Sequence, residues 1–437
     1  AGQNYQPDMY LITDNGKISV SGLINPEREI YDMALLIDSF SVKSFLPKDS
    51  LGLFSIKAKA KGKGFDFFSE KTFTNTLINI NQAEYNGYNY ENIELKATLN
   101  KQILNGALSC STEALDIDLK INGVLSPDLI QAHISGPVNQ LNLEKMHFSS
   151  SPLSIGMHLD IEGSTDQKDK YSANANIKDF ILRMNSKENK LKQITLNANI
   201  DKNFIHGKFA ADNISVRFDS PVGIDTLTKG IENTQQLLEK QLQEWQFNLA
   251  SLEQQLPPFS FSAQASKNNF LKSILEPAGI DFKQAGVEVE SSEKRPFHIR
   301  ADIDQLVKSG IQIDTIRMYA RQGRDSSKIV YHLHIGNVPG NLDQAAQVGM
   351  SGYIESNHML MRCKQKNRSG EQGFNFGYEA WLQDSLVRIS FLPDPILGFE
   401  PWTVNKNNFI EYFFDNSLNA DLTMEATGKN IILRPAD

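Results

Sequence analysis

Apolar and polar residues alternate with a period of two along most of the chain. Ile18, Val20 and Ile24 alternate, as do Phe54, Ile56, Ala58 and Ala60. Further on come Ile155, Met157, Leu159 and Ile161, then Tyr171, Ala173, Ala175 and Ile177. The habit resumes after Val287 with Ile329, Tyr331, Leu333 and Ile335, then Phe374, Phe376, Tyr378 and Ala380, then Val387, Ile389 and Phe391, and ends with Leu422, Met424 and Ala426. Polar breaks at Asn86-Gly87 and Gly62-Lys63-Gly64 read as hairpin turns, because Asn and Gly tolerate positive φ. Alternation broken in this way predicts antiparallel strands with one apolar and one wet face.

One stretch occurs twice. Ile93, Leu95, Ala97 and Leu99 align with Ile194, Leu196, Ala198 and Ile200. A polar turn follows in each copy, Asn100-Lys101-Gln102 against Asp201-Lys202-Asn203. The next segment sets Leu104, Gly106, Leu108 and Cys110 against Ile205, Gly207, Phe209 and Ala211, and the third sets Leu115, Ile117 and Leu119 against Ile214, Val216 and Phe218. A strand–turn–strand–strand unit is thus repeated about a hundred residues apart.

Residues 219–286 break the pattern and separate two strand-rich regions, 1–218 and 287–437. Asp225 can cap a helix and Pro257-Pro258 ends it. Leu238, Leu242, Trp245, Leu249, Leu252 and Leu256 step by alternating fours and threes, which predicts one long amphipathic helix over about 225–256. Such a helix would be roughly 48 Å long. Packing along the sheet, coiled-coil pairing and binding at a membrane surface are all compatible with its stripe. A shorter helix is expected around 268–276, where Phe270, Leu271, Ile274 and Leu275 precede Pro277.

The fold class expected is therefore mainly β: a long curled antiparallel sheet with one long amphipathic helix and a short helical insert. Each strand has an apolar face that must leave water, at about 25 cal/mol per Å². One helix covers only a few strands. Ile93, Leu95, Leu104, Leu108, Ile194, Leu196, Ile205, Phe209, Val216 and Phe218 are the candidate lining of an apolar trough. Were the sheet folded on itself as a sandwich, the same residues would be its core.

Composition removes several functions. The 437 residues carry 44 Lys and Arg against 52 Asp and Glu, so nucleic acid, which demands concentrated positive charge, is not the expected partner. Two cysteines, Cys110 and Cys363, make no disulfide framework and no zinc spacing. His332 and His334 share one strand face without a third ligand nearby, and they alternate with Tyr331, Leu333 and Ile335, which puts them on the wet side. No serine occupies a nucleophile elbow. Neither a cofactor nor an enzymatic role is expected.

The C-terminal third carries a family resemblance. Phe391-Leu392-Pro393, Pro401-Trp402-Thr403-Val404-Asn405, Asn408-Phe409-Ile410 and Ala420-Asp421-Leu422-Thr423-Met424 resemble the TamB-like branch of the AsmA family, in the form found in Bacteroidetes-type bacteria. Ser50-Leu51-Gly52-Leu53 and Tyr85-Asn86-Gly87-Tyr88 have similar spacing. Trp402 is either a marker of the family or a core aromatic at a strand end. The resemblance implies a periplasmic protein, anchored in the inner membrane, whose apolar β-groove conducts phospholipid acyl chains to the outer membrane. It also implies a role in outer-membrane protein assembly beside a barrel partner. The family's membrane helix and C-terminal domain have no counterpart here, so an interior segment is expected.

Overall fold

The computed structural model describes residues 3–46, 50–184, 187–244, 248–266, 271–292, 295–322, 327–336, 347–383 and 385–435. The chain is mainly β, and every strand pairing among the described residues is antiparallel. It divides into two units, residues 1–201 with 208–212, and residues 202–207 with 213–437.

The first unit is a meander. Its strands are β1 (Asp8–Thr13), β2 (Gly16–Asn25), β3 (Ile30–Ser41), β4 (Leu51–Lys63), β5 (Phe73–Tyr85) and β6 (Tyr88–Asn100). They continue as β7 (Ile103–Ser111), β8 (Leu115–Ser126), β9 (Leu129–Asn142), β10 (Leu153–Thr165), β11 (Tyr171–Met184) and β12 (Lys187–Asp201). Each is hydrogen-bonded to the next in sequence. Tyr85 pairs with Tyr88 across Asn86 and Gly87, whose φ angles are 53° and 75°. Asn100 pairs with Ile103 across Lys101 and Gln102, at 48° and 68°. Two positive-φ residues in a two-residue loop form the turn whose twist matches the flanking strands. Gly62 and Lys63, by contrast, are not in a turn. They end β4, where Gly62 lies between Tyr31 and Thr74.

The strand β13 (Phe204–Ala211) is divided between the units. The second unit continues with β14 (Ile214–Ser220), β15 (Phe259–Ser266), β16 (Ile280–Asp281), β17 (Gln284–Ser291), β18 (His298–Lys308), β19 (Ile311–Gln322) and β20 (Lys328–Gly336). Next come β21 (Gln347–Glu355), β22 (His358–Lys366), β23 (Gln372–Leu382), β24 (Leu386–Phe391), β25 (Ile396–Leu397) and β26 (Glu400–Pro401). The last are β27 (Thr403–Val404), β28 (Phe409–Phe413), β29 (Leu418–Ala426) and β30 (Lys429–Leu433). Pairing runs β14–β15–β17–β18–β19–β20–β21–β22–β23–β24–β28–β29–β30.

The helix expected over 225–256 is two helices, α1 (Ile224–Gln243) and α2 (Leu249–Gln255). Asn248 is extended and its side chain accepts from the Ser251 amide, starting α2 afresh. Gln241 is buried and joins the two arms: its amide donates to Asn248 O at 3.2 Å and Ser251 Oγ at 2.8 Å, and its oxygen accepts from Asn248 N at 2.9 Å. The apolar stripe is therefore shared between two helices, with Trp245 outside the described residues. The short helix is α3 (Leu271–Leu275), followed by a 3-10 turn over Glu276–Ala278. Asn268 and Phe270 lie outside the described residues. No described helix is long and apolar enough to cross a membrane.

Trp402 is a core residue. With Leu422 and Met424 it centres a cluster that takes in Phe391, Leu397, Val404, Ile410 and Ala426. Its indole nitrogen donates to Leu397 O at 3.2 Å. The most distinctive sequence stretch in the C-terminal third thus has a packing role, holding the short strands β25 to β27 against β29.

Candidate functional site

Strand register converts the alternation into continuous rows. In the first unit one row runs Met9–Val20–Leu35–Ala58–Ile78–Leu95–Leu108–Leu119 from β1 to β8. A neighbouring row runs Leu11–Ile18–Ile37–Ile56–Ile80–Ile93. Further along the strands, Ala97, Gly106, Ile121, Ile134, Ile161, Ala175 and Leu196 carry the same face to β12. The other face is polar, with Lys57, Asn79, Glu94, Ser109 and Asp118 in one row. His133 and Asp160 pair there at 2.7 Å.

The second unit has the same division. Val216, Ala263, Val287, Ala301, Met318, Leu333, Met350, Cys363 and Phe376 form one row. Phe218, Phe261, Val289, Ile299, Ala320 and Tyr331 form the next. His332 and His334 lie on the polar face, opposite Tyr319 and Arg317. Among the described residues no three His, Cys, Asp or Glu side chains come together to hold a metal.

These apolar faces are poorly covered. Ile93, Leu95, Leu104, Leu108, Ile194, Phe209, Val216 and Phe218 are half-buried, Leu196 is 40% exposed, and of the ten candidates only Ile205 is buried. Six of them (Ile93, Leu95, Leu104, Leu108, Ile194 and Leu196) share the apolar face of the first unit. Val216 and Phe218 belong to that of the second, and Ile205 and Phe209 lie on β13. The chain exposes 26211 Å². Two separate compact bodies of half its mass would together expose about 20,000 Å².

A further feature escaped sequence reading. Tyr31 faces Gly62 and Tyr331 faces Gly352 across adjacent strands, both on the apolar face. The Tyr331 hydroxyl passes over Gly352 and donates to Leu360 O at 3.0 Å. A Cβ on Gly352 would collide with that carbonyl and lie 2.8 Å from the hydroxyl. The tyrosine thereby satisfies its polar end without breaking the apolar row. The only sequence signal was the glycines themselves.

The strand β1 differs from its neighbours. Among the described residues it is paired on one edge only, to β2. Met9, Tyr10, Leu11 and Ile12 are 60%, 72%, 49% and 65% exposed, so both its faces are apolar. Cys110 and Cys363 are free. Burial raises both thiols above their ordinary range, which keeps them protonated and unreactive.

No protein family, no characterised protein and no solved structure gives a significant match to this chain.

Proposed function

We propose that the half-covered apolar faces carry the acyl chains of phospholipids, making the protein a non-enzymatic conduit between membranes. The continuity of the apolar rows supports this reading. From Met9 to Leu119 no charged or hydrogen-bonding side chain interrupts them. Strands about 4.8 Å apart give twelve of them a width of about 53 Å, more than the roughly 30 Å hydrocarbon core of a bilayer. An acyl chain needs area and no directional bonds, and gains about 0.8 kcal/mol per buried methylene. From the resemblance to TamB-like proteins we further propose a periplasmic conduit, in a protein attached to the inner membrane.

Photoreactive side chains placed at Leu95 and at Leu196 test the proposal in cells. Phospholipid adducts are expected at both and absent at Lys96, which faces the other way on the strand of Leu95. Equal labelling at Lys96, or none at Leu95 and Leu196, refutes it.

The edge of β1 that is unpaired among the described residues favours a second reading, a scaffold that lends a strand edge to outer-membrane barrel precursors. Under it, Tyr10→Lys with Ile12→Lys reduces barrel proteins before any lipid imbalance develops.

A further inference from the structure

The hairpin of α1 and α2 encloses a pocket of about 230 Å³ within the second unit. Leu238 of α1, Leu249, Leu252 and Leu256 of α2, Phe297 ahead of β18 and Ile329 of β20 supply most of its wall. The helices are held over it by the buried Gln241 and by Pro257, which packs so tightly on α1 that a Cβ on Gly230 would lie 2.9 Å from its ring. Ile329 is paired with Ile354 and lies two residues from Tyr331, on the apolar face of the sheet. Ile329 therefore belongs both to the pocket wall and to that face. At its margin Gln322, which pairs with Ile329 in the sheet, is hydrogen-bonded to Glu253 of α2.

We infer that this pocket binds the methyl end of a single hydrocarbon tail, as a holding site at the helical insert. The inference rests on the reading of the apolar face as an acyl-chain surface. An apolar cavity of about 150 Å³ stays dry and accepts benzene. This one is larger, and although Thr234 and Glu253 also line it, the surface it exposes is apolar. A tail resting on the sheet meets the pocket at Ile329, which belongs to both. A polar ligand would lose the fit, because four leucines, Phe297 and Ile329 supply most of the exposed wall.

The test uses the full chain and a saturated fatty acid carrying a diazirine at its methyl end, supplied free or as one chain of a phosphatidylcholine. Crosslinks are expected within residues 249–256 and at Phe297, with both forms if the tail alone is recognised and with the free acid only if a headgroup is excluded. Leu252→Trp, which fills the pocket, should cut this labelling at least tenfold and leave labelling of the first-unit strands unchanged. Leu256→Phe fills less of the same space and serves if the tryptophan variant does not fold. Labelling confined to sheet strands, or unchanged in both variants, overturns the pocket while the conduit stands. Absence of labelling anywhere on the wild-type chain overturns both. If a leucine-rich peptide competes away the label but an unlabelled fatty acid does not, the pocket is a protein-docking site and the inference fails.

Discussion

The side chain of Asn408 pairs with the main chain of Phe391 as a neighbouring strand would. Its oxygen accepts from the Phe391 amide at 2.6 Å and its nitrogen donates to the Phe391 carbonyl at 3.0 Å. The same nitrogen reaches Asn405 O at 3.0 Å, and Asn408 is 7% exposed. β24 ends at Phe391, so the amide extends its pairing past the end of β28. Asn408→Ala leaves both Phe391 groups without that partner and should cost about 1–3 kcal/mol in chemical denaturation. Unchanged hydrogen-exchange protection at the Phe391 amide in the variant would refute this role.

Leu95 separates an open face from a packed core. In a closed sandwich, Leu95→Asp would bury a charge and cost several kcal/mol. On a half-covered face the loss should be about 1 kcal/mol, the scale of one cross-strand apolar pair. The variant should therefore fold with a near-normal thermal midpoint and yet lose acyl-chain binding. Failure to fold would point to a buried site.

Gly352 and Gly163 are both mid-strand, with opposite expectations. Gly352→Ala drives a methyl group into Leu360 O and the Tyr331 hydroxyl, and should cost about 1–3 kcal/mol. At Gly163 the nearest atom to an added Cβ is Ser172 O at 3.6 Å, an ordinary contact. Gly163→Ala should be neutral or slightly stabilising. Thermal melts of the two variants side by side suffice as a check.

Glu253 gives the helical hairpin a pH dependence. Burial lifts its carboxyl above the ordinary range, and the hydrogen bond with Gln322 opposes this only in part. In the unfolded chain the group ionises near 4.5. Between that value and the raised one, the unfolded state gives up its proton first, so stability falls as pH rises and then levels off. Glu253→Gln removes the effect. The wild type should thus lose stability relative to the variant as pH rises above about 4.5, and a difference that does not change with pH would contradict the assignment.

The alternation around Leu95 and Leu108 made strands, faces and register legible, because a one-residue slip would turn every apolar side chain to the wet side. Ile93 and Leu95 share a face in the sequence and share it in the fold. Other features depend on contacts that residue types alone do not specify. The stripe from Leu238 to Leu256 keeps its spacing across two helices, and the break is set by the hydrogen bonds of Gln241 with Asn248 and Ser251. β15 lies inside a segment read as helical, its Phe259-Ser260-Phe261-Ser262 alternation overshadowed by the heptad stripe before it. The bulges, such as that between Ile37 and Phe40, leave no compositional trace. The exposed second face of β1 was invisible because edge position is a property of the whole sheet.

The uninterrupted rows from Met9 to Leu119 also bear on directionality. A hydrocarbon moving across the strands meets side chains that differ in size, as where Ala58 stands between Leu35 and Ile78, but never a step in charge. Such a track has no downhill end of its own. For the conduit we propose, net flow in either sense must then be imposed where cargo is loaded or released, and reversing those terminal conditions would reverse the traffic without altering one residue of the sheet.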